Sequence, residues 1–181
     1  MSEASPYPTP LLTRCRTVKA LLLDVDGVLT DGGLLYSGQG EMLKRFNTLD
    51  GHGLKMLQSA GITVAVITGR DSEPLRARLT ALGIAHARYG IDDKQPAAQA
   101  LLEELGVPWQ QVAAMGDDWP DWPMMQGAAL RCAPANAHHE ILSRADFVCL
   151  AQGGYGAVRE VCDLLLHAVG QYHTIAAKYG L

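Results

Sequence analysis

The sequence lacks the features that would assign its 181 residues to several common protein classes. Its apolar runs are short and broken by Asp or Gly, as in ALLLDVDGVL, and none approaches the ~18 residues that a membrane-spanning helix needs. The chain does not open with a basic segment followed by an apolar stretch, so we expect no secretory signal. A formal net charge of −4 argues against a general nucleic-acid binder.

Paired cysteines are also missing. The chain has four cysteines, none of them in a C-x-x-C pair: Cys15, Cys132, Cys149 and Cys162. This scatter predicts reduced thiols in a cytoplasmic protein, where most of them serve as small core residues. With 48% hydrophobic residues the chain is too apolar to be disordered, and its length suits one core rather than two.

Short apolar runs alternate with helical patterns along the chain. The runs are Lys19–Asp24, Ile62–Thr68, Ala85–Tyr89, Gln111–Met115, Ala128–Cys132 and Asp146–Leu150. The helical patterns are Gly51–Ala60, Ser72–Leu82, Pro96–Leu105 and Gly156–Val169. Such runs are typical of strands covered on both faces by helices. The alternation predicts an α/β fold with a doubly wound, Rossmann-like, mostly parallel sheet, which binds ligands beyond the carboxyl ends of its strands.

Two segments depart from this alternation. Residues 1–16 contain Pro and Ser and show no period, which predicts a flexible leader before a single domain over residues 17–181. Gly33–Phe46 has two short extended segments around SGQG, which predicts a β-hairpin.

An acidic pair follows the first run. Residues two apart in an extended chain point the same way, so Asp24 and Asp26 of the sequence DVDG can converge on one site. Two close carboxylates repel each other and need a proton or a cation between them. A turn rich in Asp, with Gly27 at the bend, explains the same four residues about equally well.

Three further features lie in a consistent order along the chain. They are Thr68-Gly69-Arg70 after the second run, Lys94 at the start of a helix, and the acidic sequence GDDWPD from Gly116 to Asp121 after the fourth run. Alone, each is better explained as a capped turn, a surface charge or an acidic loop. Together with the acidic pair they form a constellation that chance produces much less often.

These residues and spacings resemble the haloacid dehalogenase superfamily of phosphotransferases. The sequences DVDGVLTDG, FNTLDGHG, ITVAVITGR, GDDWPDWPMM and GGYGAVREVCDLLL further resemble its 3-deoxy-D-manno-octulosonate 8-phosphate phosphatase branch, over about residues 18 to 169. The resemblance implies a haloacid dehalogenase-like domain and hydrolysis of that sugar-acid phosphate, a step in lipopolysaccharide precursor synthesis.

The resemblance also implies roles for individual residues. Asp24 would be the nucleophile that forms an aspartyl-phosphate, and Asp26 would be the general acid and base. Mg²⁺ would be held by oxygen ligands, because neither Cys nor His occurs in DVDG, Thr68-Gly69-Arg70 or GDDWPD. The implied metal ligands are the Asp24 carboxylate, the Asp26 backbone carbonyl and Asp117. The phosphoryl group would be bound by Thr68, the Gly69 amide and Lys94, and Asp118 and Asp121 would support these groups or lie on the surface.

Too few residues separate Gly27 from the next helix for an inserted cap domain. A lone molecule would then leave its site open to water. The resemblance implies a homotetramer in which hairpins of neighbouring subunits meet, with Leu34, Leu35 and Met42 at the interface. The alternative is an edge hairpin packed on its own domain.

Substrate recognition is the least determined feature. Arg159 is a candidate for binding the sugar carboxylate, but an ion pair with Glu160 or Asp163 is an equal alternative, and Arg70 has the same two interpretations. Related proteins often carry basic residues where this chain has Leu49 and Tyr155, so the exact sugar stays open.

Two other functions compete with this prediction. The first is a phosphatase for a sialic-type nonulosonate 9-phosphate. The second, from another class, is a non-enzymatic phospho-acceptor receiver domain, which also combines an acidic site with Thr and Lys.

Overall fold

A parallel sheet of six strands forms the centre of the computed structural model, which describes residues 5–38 and 40–181. The strands of this sheet are β1 (Ala20–Leu23), β4 (Thr63–Ile67), β5 (His86–Arg88), β6 (Val112–Met115), β7 (Leu130–Ala133) and β8 (Phe147–Val148). Their order across the sheet is β5-β4-β1-β6-β7-β8, and each neighbouring pair runs parallel. The order reverses beside β1, which is where such sheets bind ligands.

Helices cover both faces of the sheet. They are α1 (Thr9–Cys15), α2 (Thr48–Ser59), α3 (Glu73–Leu82), α4 (Lys94–Leu105), α5 (Trp122–Met125), α6 (His139–Leu142), α7 (Ala157–Ala168) and α8 (Tyr172–Ala176). Short 3₁₀ turns lie at Trp109–Gln111, Trp119–Asp121 and Ala177–Tyr179. The longest of the helices have 12 residues, and none in the described parts of the chain could cross a membrane.

Alternate residues of β1 divide the core between the two faces. Leu21 and Leu23 pack into one buried cluster with α2, α3 and α7, whereas Ala20 and Leu22 pack into another with α4, α5 and α6. All four side chains are fully buried, because the strand lies at the middle of a sheet that is covered on both sides. The predicted doubly wound α/β fold is confirmed, and the strand bounds differ from those predicted by at most two residues.

The start of the chain differs from the prediction of a flexible leader. Residues 1–4 lie outside the described residues, but Thr9–Cys15 form a helix whose Cys15 is fully buried against the core. Pro10 lies in its first turn, a position that proline tolerates, and Leu11 and Leu12 pack partly against the same cluster. Seven residues make only about two helical turns, too few for a clear hydrophobic period, so the sequence pattern does not predict this helix.

The predicted hairpin consists of β2 (Leu35–Ser37) and β3 (Gly40–Leu43), paired antiparallel in a separate two-stranded sheet. Residue 39, between the strands, is outside the described part of the chain. The hairpin occupies the position between β1 and α2 where a cap would be inserted, and the segment described there contains no further domain.

Candidate active site

The acidic pair lies in a tight turn at the carboxyl end of β1. Asp24 continues the strand and donates its backbone N–H to the Met115 carbonyl of β6 (3.1 Å). The backbone amides of the next residues turn back onto the Val25 carbonyl, which accepts from Val28, Leu29 and Thr30 at 3.2, 2.9 and 3.0 Å. This turn places the buried Asp24 and the partly exposed Asp26 on the wall of one cavity.

Gly27 lets a second strand end approach the turn. Its φ is +95°, a conformation that favours glycine, and a Cβ built there would lie 2.1 Å from Asp117 Oδ2. The Asp117 carboxylate therefore packs directly against the backbone of the acidic turn. A side chain at residue 27 would push the two apart.

Lys94 joins the carboxylates. Its ammonium group donates to Asp24 Oδ1 at 2.5 Å and to Asp121 Oδ1 at 2.6 Å, and its side chain is 4% exposed. Lys94 is the first residue of α4, where the preceding Asp93 caps the helix by accepting from the Gln95 amide. This helix start fixes the point from which the lysine enters the cavity.

Asp121 organises the acidic loop after β6. Its Oδ2 accepts the backbone N–H groups of Asp117 (2.9 Å) and Asp118 (3.2 Å), while its Oδ1 accepts from Lys94. Both oxygens therefore have donors from the chain. Gly116 is needed here, because a Cβ on it would lie 2.2 Å from the Asp121 Cβ.

The cluster has more negative than positive charge. Burial raises the pKa of Asp24 to about 7, with repulsion from Asp121 adding to this and Lys94 opposing it. Burial, followed by repulsion from Asp121 and Asp24, raises the pKa of Asp117 to about 8. Burial by itself would lower the pKa of Lys94, but the attraction of Asp24 and Asp121 raises it overall. One lysine does not neutralise three carboxylates.

This donor set fits a hard divalent cation. Asp24, Asp117 and Asp121 each offer an oxygen, and the three oxygens lie within 4.8 Å of one another. Oxygen ligands with excess negative charge suit Mg²⁺. Since both Asp121 oxygens already accept hydrogen bonds, Asp24 and Asp117 are the more available ligands, and Asp121 fits the predicted supporting role.

The cavity over this cluster has a volume of about 400 Å³. It is lined by Asp24, Asp26, Thr68, Gly69, Arg70, Ile91, Asp92, Lys94, Asp117, Asp118, Pro120 and Asp121. Thr68 is buried at the end of β4, and its Oγ1 accepts the Arg70 backbone N–H at 3.2 Å. The structure thus brings together every candidate named from the sequence except Arg159.

Arg159 is bound elsewhere. Its Nε donates to Asp163 Oδ1 at 2.8 Å on α7, and its backbone N–H donates to the buried Asp50 at 2.8 Å. The first contact is the ion pair that was the alternative for this residue. Arg70 does line the cavity, where its Nε lies 3.6 Å from Asp26 Oδ2 and its Nη1 donates to the Tyr36 hydroxyl at 3.1 Å.

Lys44 is a contact of the acidic pair that the sequence analysis missed. Its Nζ lies 2.5 Å from Asp26 Oδ1 and 2.7 Å from Glu41 Oε1. The spacing of Glu41 and Lys44 would also suit a pair on a helix, so no pattern in the sequence directs the lysine to Asp26.

Known proteins are similar to this chain in both sequence and fold. The sequence model of the haloacid dehalogenase-like hydrolases matches residues 87–159. The 3-deoxy-D-manno-octulosonate 8-phosphate phosphatase KdsC of Salmonella typhi is 45% identical over 166 residues, which cover 92% of this chain and 88% of that protein. The chain belongs to the 3-deoxy-D-manno-octulosonate 8-phosphate phosphatase family.

Solved structures of this phosphatase family have the same architecture. The Yersinia pestis enzyme has a TM-score of 0.90 at 43% identity, over 93% of this chain and 91% of that one. The Moraxella catarrhalis enzyme, solved with a magnesium ion, a phosphate ion and a KDO molecule, has a TM-score of 0.92 at 35% identity, over 96% and 99% of the two chains.

Proposed function

We propose that this protein hydrolyses 3-deoxy-D-manno-octulosonate 8-phosphate to the free sugar acid and inorganic phosphate with the help of Mg²⁺, in lipopolysaccharide precursor synthesis. The observation that carries the proposal is the cluster of Asp24, Asp117 and Lys94 beside Asp26 in one cavity at the end of β1. The family to which the chain belongs supplies the substrate class.

Asp24 starts the reaction as the nucleophile. One of its carboxylate oxygens attacks phosphorus, and the bond between phosphorus and the sugar oxygen breaks. The electron pair of that bond goes to the sugar oxygen, which takes a proton from the Asp26 carboxyl group. The products of this step are an aspartyl-phosphate and the free sugar acid.

Asp26 then acts as the base. Its carboxylate takes a proton from a water molecule, whose oxygen attacks phosphorus while the bond to Asp24 breaks. Inorganic phosphate leaves, Asp24 is again a carboxylate, and Asp26 again carries a proton. The two residues thus divide the work of nucleophile and proton carrier.

The remaining cavity residues bind charge. Thr68, Gly69 and Lys94 line the cavity, where the Thr68 hydroxyl, the Gly69 amide and the Lys94 ammonium would bind the oxygens of the phosphoryl group. Asp24, Asp117 and the Asp26 backbone carbonyl would hold Mg²⁺, which when bound supplies positive charge against the repulsion between an anionic substrate and these carboxylates. Asp118 lies at the edge of this set and caps the following turn through the Trp119 amide.

Arg70 is the better candidate of the two arginines for binding the sugar acid, because it lines the cavity and is partly exposed. For Arg159 the ion pair with Asp163 supports a structural role instead. The cytoplasmic location also stays a prediction.

We further propose a homotetramer with the hairpins at its centre. Leu34, Leu35 and Met42 are all exposed in the single chain, as are Tyr36 and Leu43. Their exposure favours an interface over a hairpin packed on its own domain.

A comparison of substrates tests the proposed function. We expect rapid phosphate release from 3-deoxy-D-manno-octulosonate 8-phosphate, loss of activity on chelation and recovery with Mg²⁺. Higher kcat/KM on a sialic-type nonulosonate 9-phosphate would instead favour the nine-carbon substrate. A stable phosphoprotein without turnover on any sugar phosphate would overturn the proposal in favour of a receiver domain.

A further inference from the structure

The two carboxylate oxygens of Asp26 have different surroundings. Oδ1 is held by the Lys44 ammonium at 2.5 Å and lies 3.4 Å from the Thr30 hydroxyl. Oδ2 has a longer contact, 3.6 Å, to the Nε of Arg70, whose side chain is 45% exposed. One oxygen is therefore anchored inside the protein, and the other is the one nearest to an arginine that lines the cavity.

The anchor comes from the hairpin. Lys44 directly follows β3, and its side chain is 1% exposed although most of the hairpin is open to solvent. Its second partner is Glu41, at 2.7 Å, so one ammonium group joins two carboxylates. A buried lysine with two charged partners has little freedom to reorient, which makes it a rigid support for the Asp26 carboxylate.

We propose that Lys44 is a positioning residue for the acid–base chemistry of Asp26: it holds Oδ1 so that Oδ2 is the oxygen that exchanges protons with the sugar oxygen and with water. This inference rests on the role proposed above for Asp26. The hairpin then contributes to the reaction by fixing the orientation of a group that lies at the end of β1.

Kinetic measurements on the two steps of the reaction distinguish a positioning role of Lys44 from a general effect on folding. The value of kcat/KM reports the steps up to release of the alcohol or phenol, and a poor alkoxide leaving group needs the acid whereas p-nitrophenolate does not. The value of kcat also includes hydrolysis of the aspartyl-phosphate, which needs Asp26 as a base for either substrate. A misplaced Asp26 therefore affects the two substrates differently.

The experiment compares the Lys44→Met variant with the wild-type protein on 3-deoxy-D-manno-octulosonate 8-phosphate and on p-nitrophenyl phosphate. We expect kcat/KM to fall by about 10- to 100-fold on the sugar phosphate and by less than about threefold on the aryl phosphate. With the aryl phosphate, acid-quenched protein should contain more phosphoenzyme than the wild type. Both substrates are assayed on one preparation, so the ratio does not depend on how much of the variant is folded.

A variant of an exposed lysine serves as the control. Lys55→Met removes an exposed lysine of α2 and should leave both activities unchanged.

If kcat/KM of Lys44→Met falls equally on both substrates, or does not fall on the sugar phosphate, the proposed role of Lys44 is wrong. Neither result would contradict the proposed function. The proposed function fails separately, if the wild-type protein releases no phosphate from 3-deoxy-D-manno-octulosonate 8-phosphate.

Discussion

The end of β1 and the hairpin that follows it differ in how far their side chains find partners within a single chain. At the end of β1, the buried carboxylates of Asp24 and Asp121 find their donors within the chain. On the hairpin, Leu35, Met42 and Leu43 are each more than half exposed. The acidic cluster is thus built by the core, whereas the hairpin contributes one buried lysine and otherwise presents exposed apolar side chains.

The largest expected effect is on stability, and it tests whether Lys94 supplies the counter-charge that the buried carboxylates need. In metal-free buffer, Lys94→Met should lower the free energy of unfolding by about 3–5 kcal/mol, because it leaves the carboxylates of Asp24 and Asp121 buried without their cation. Urea denaturation measures this change. Lys55→Met is the matched exposed control and should stay within about 0.5 kcal/mol of the wild type. Similar values for the two lysines would show that the cluster needs no internal counter-charge.

The second prediction concerns the pH dependence of the metal-free protein. The pKa values of Asp24 and Asp117 are raised to about 7 and about 8 from 3.8, so near pH 6 the folded protein holds protons that the unfolded chain has lost. Stability should therefore decrease as the pH rises from about 4 to 8, because the folded protein must give up these protons at a higher pH than the unfolded chain does. Urea denaturation across this range measures the slope, which Asp117→Asn should reduce. A stability that rises with pH throughout would contradict the excess negative charge.

The third prediction tests the close approach of two strand ends. Gly27→Ala should lower the free energy of unfolding by about 1–2 kcal/mol, because alanine is strained in the left-handed conformation of residue 27. It should also weaken Mg²⁺ binding, because the new Cβ displaces Asp117. Gly61→Ala is the control, since Gly61 has a φ of +81° with no atom near a built Cβ. Calorimetric titration with Mg²⁺ should separate the two variants. Equal Mg²⁺ affinity would show that the approach of Asp117 is not needed for the metal.

The smallest effect on stability is expected at the hairpin. Met42→Ser should change the free energy of unfolding of the single chain by less than about 0.5 kcal/mol, because the residue is 56% exposed. It should nevertheless shift the sedimentation profile towards smaller species. Leu150→Ser, at a residue that is 93% exposed outside the hairpin, should leave the profile unchanged. An unchanged profile for Met42→Ser would remove this residue from the interface.

The same contrast explains what could be predicted from the sequence. The sheet was predictable because its six strands are short apolar runs separated by helices, and because the ends of parallel strands meet at one edge. That geometry brings Asp24, Thr68 and Asp117 together although they are far apart in the chain.

Other features depend on contacts that no local pattern encodes. Lys44 reaches Asp26 only because the hairpin folds back over the turn, and Arg159 turns to Asp163 on its own helix rather than to the cavity. The helix Thr9–Cys15 is fixed by its packing on α7 rather than by a period of its own. In each case tertiary packing decides the outcome.

The most direct test of the roles of Asp24 and Asp26 is to identify the residue that becomes phosphorylated. Asp26→Asn keeps the nucleophile but removes the base, so phosphate transferred from p-nitrophenyl phosphate, whose leaving group needs no acid, should accumulate on the protein. Mass spectrometry of acid-quenched, digested protein is expected to place that phosphate on Asp24. The absence of any covalent phosphate, or its presence on another residue, would contradict the roles given to the two carboxylates.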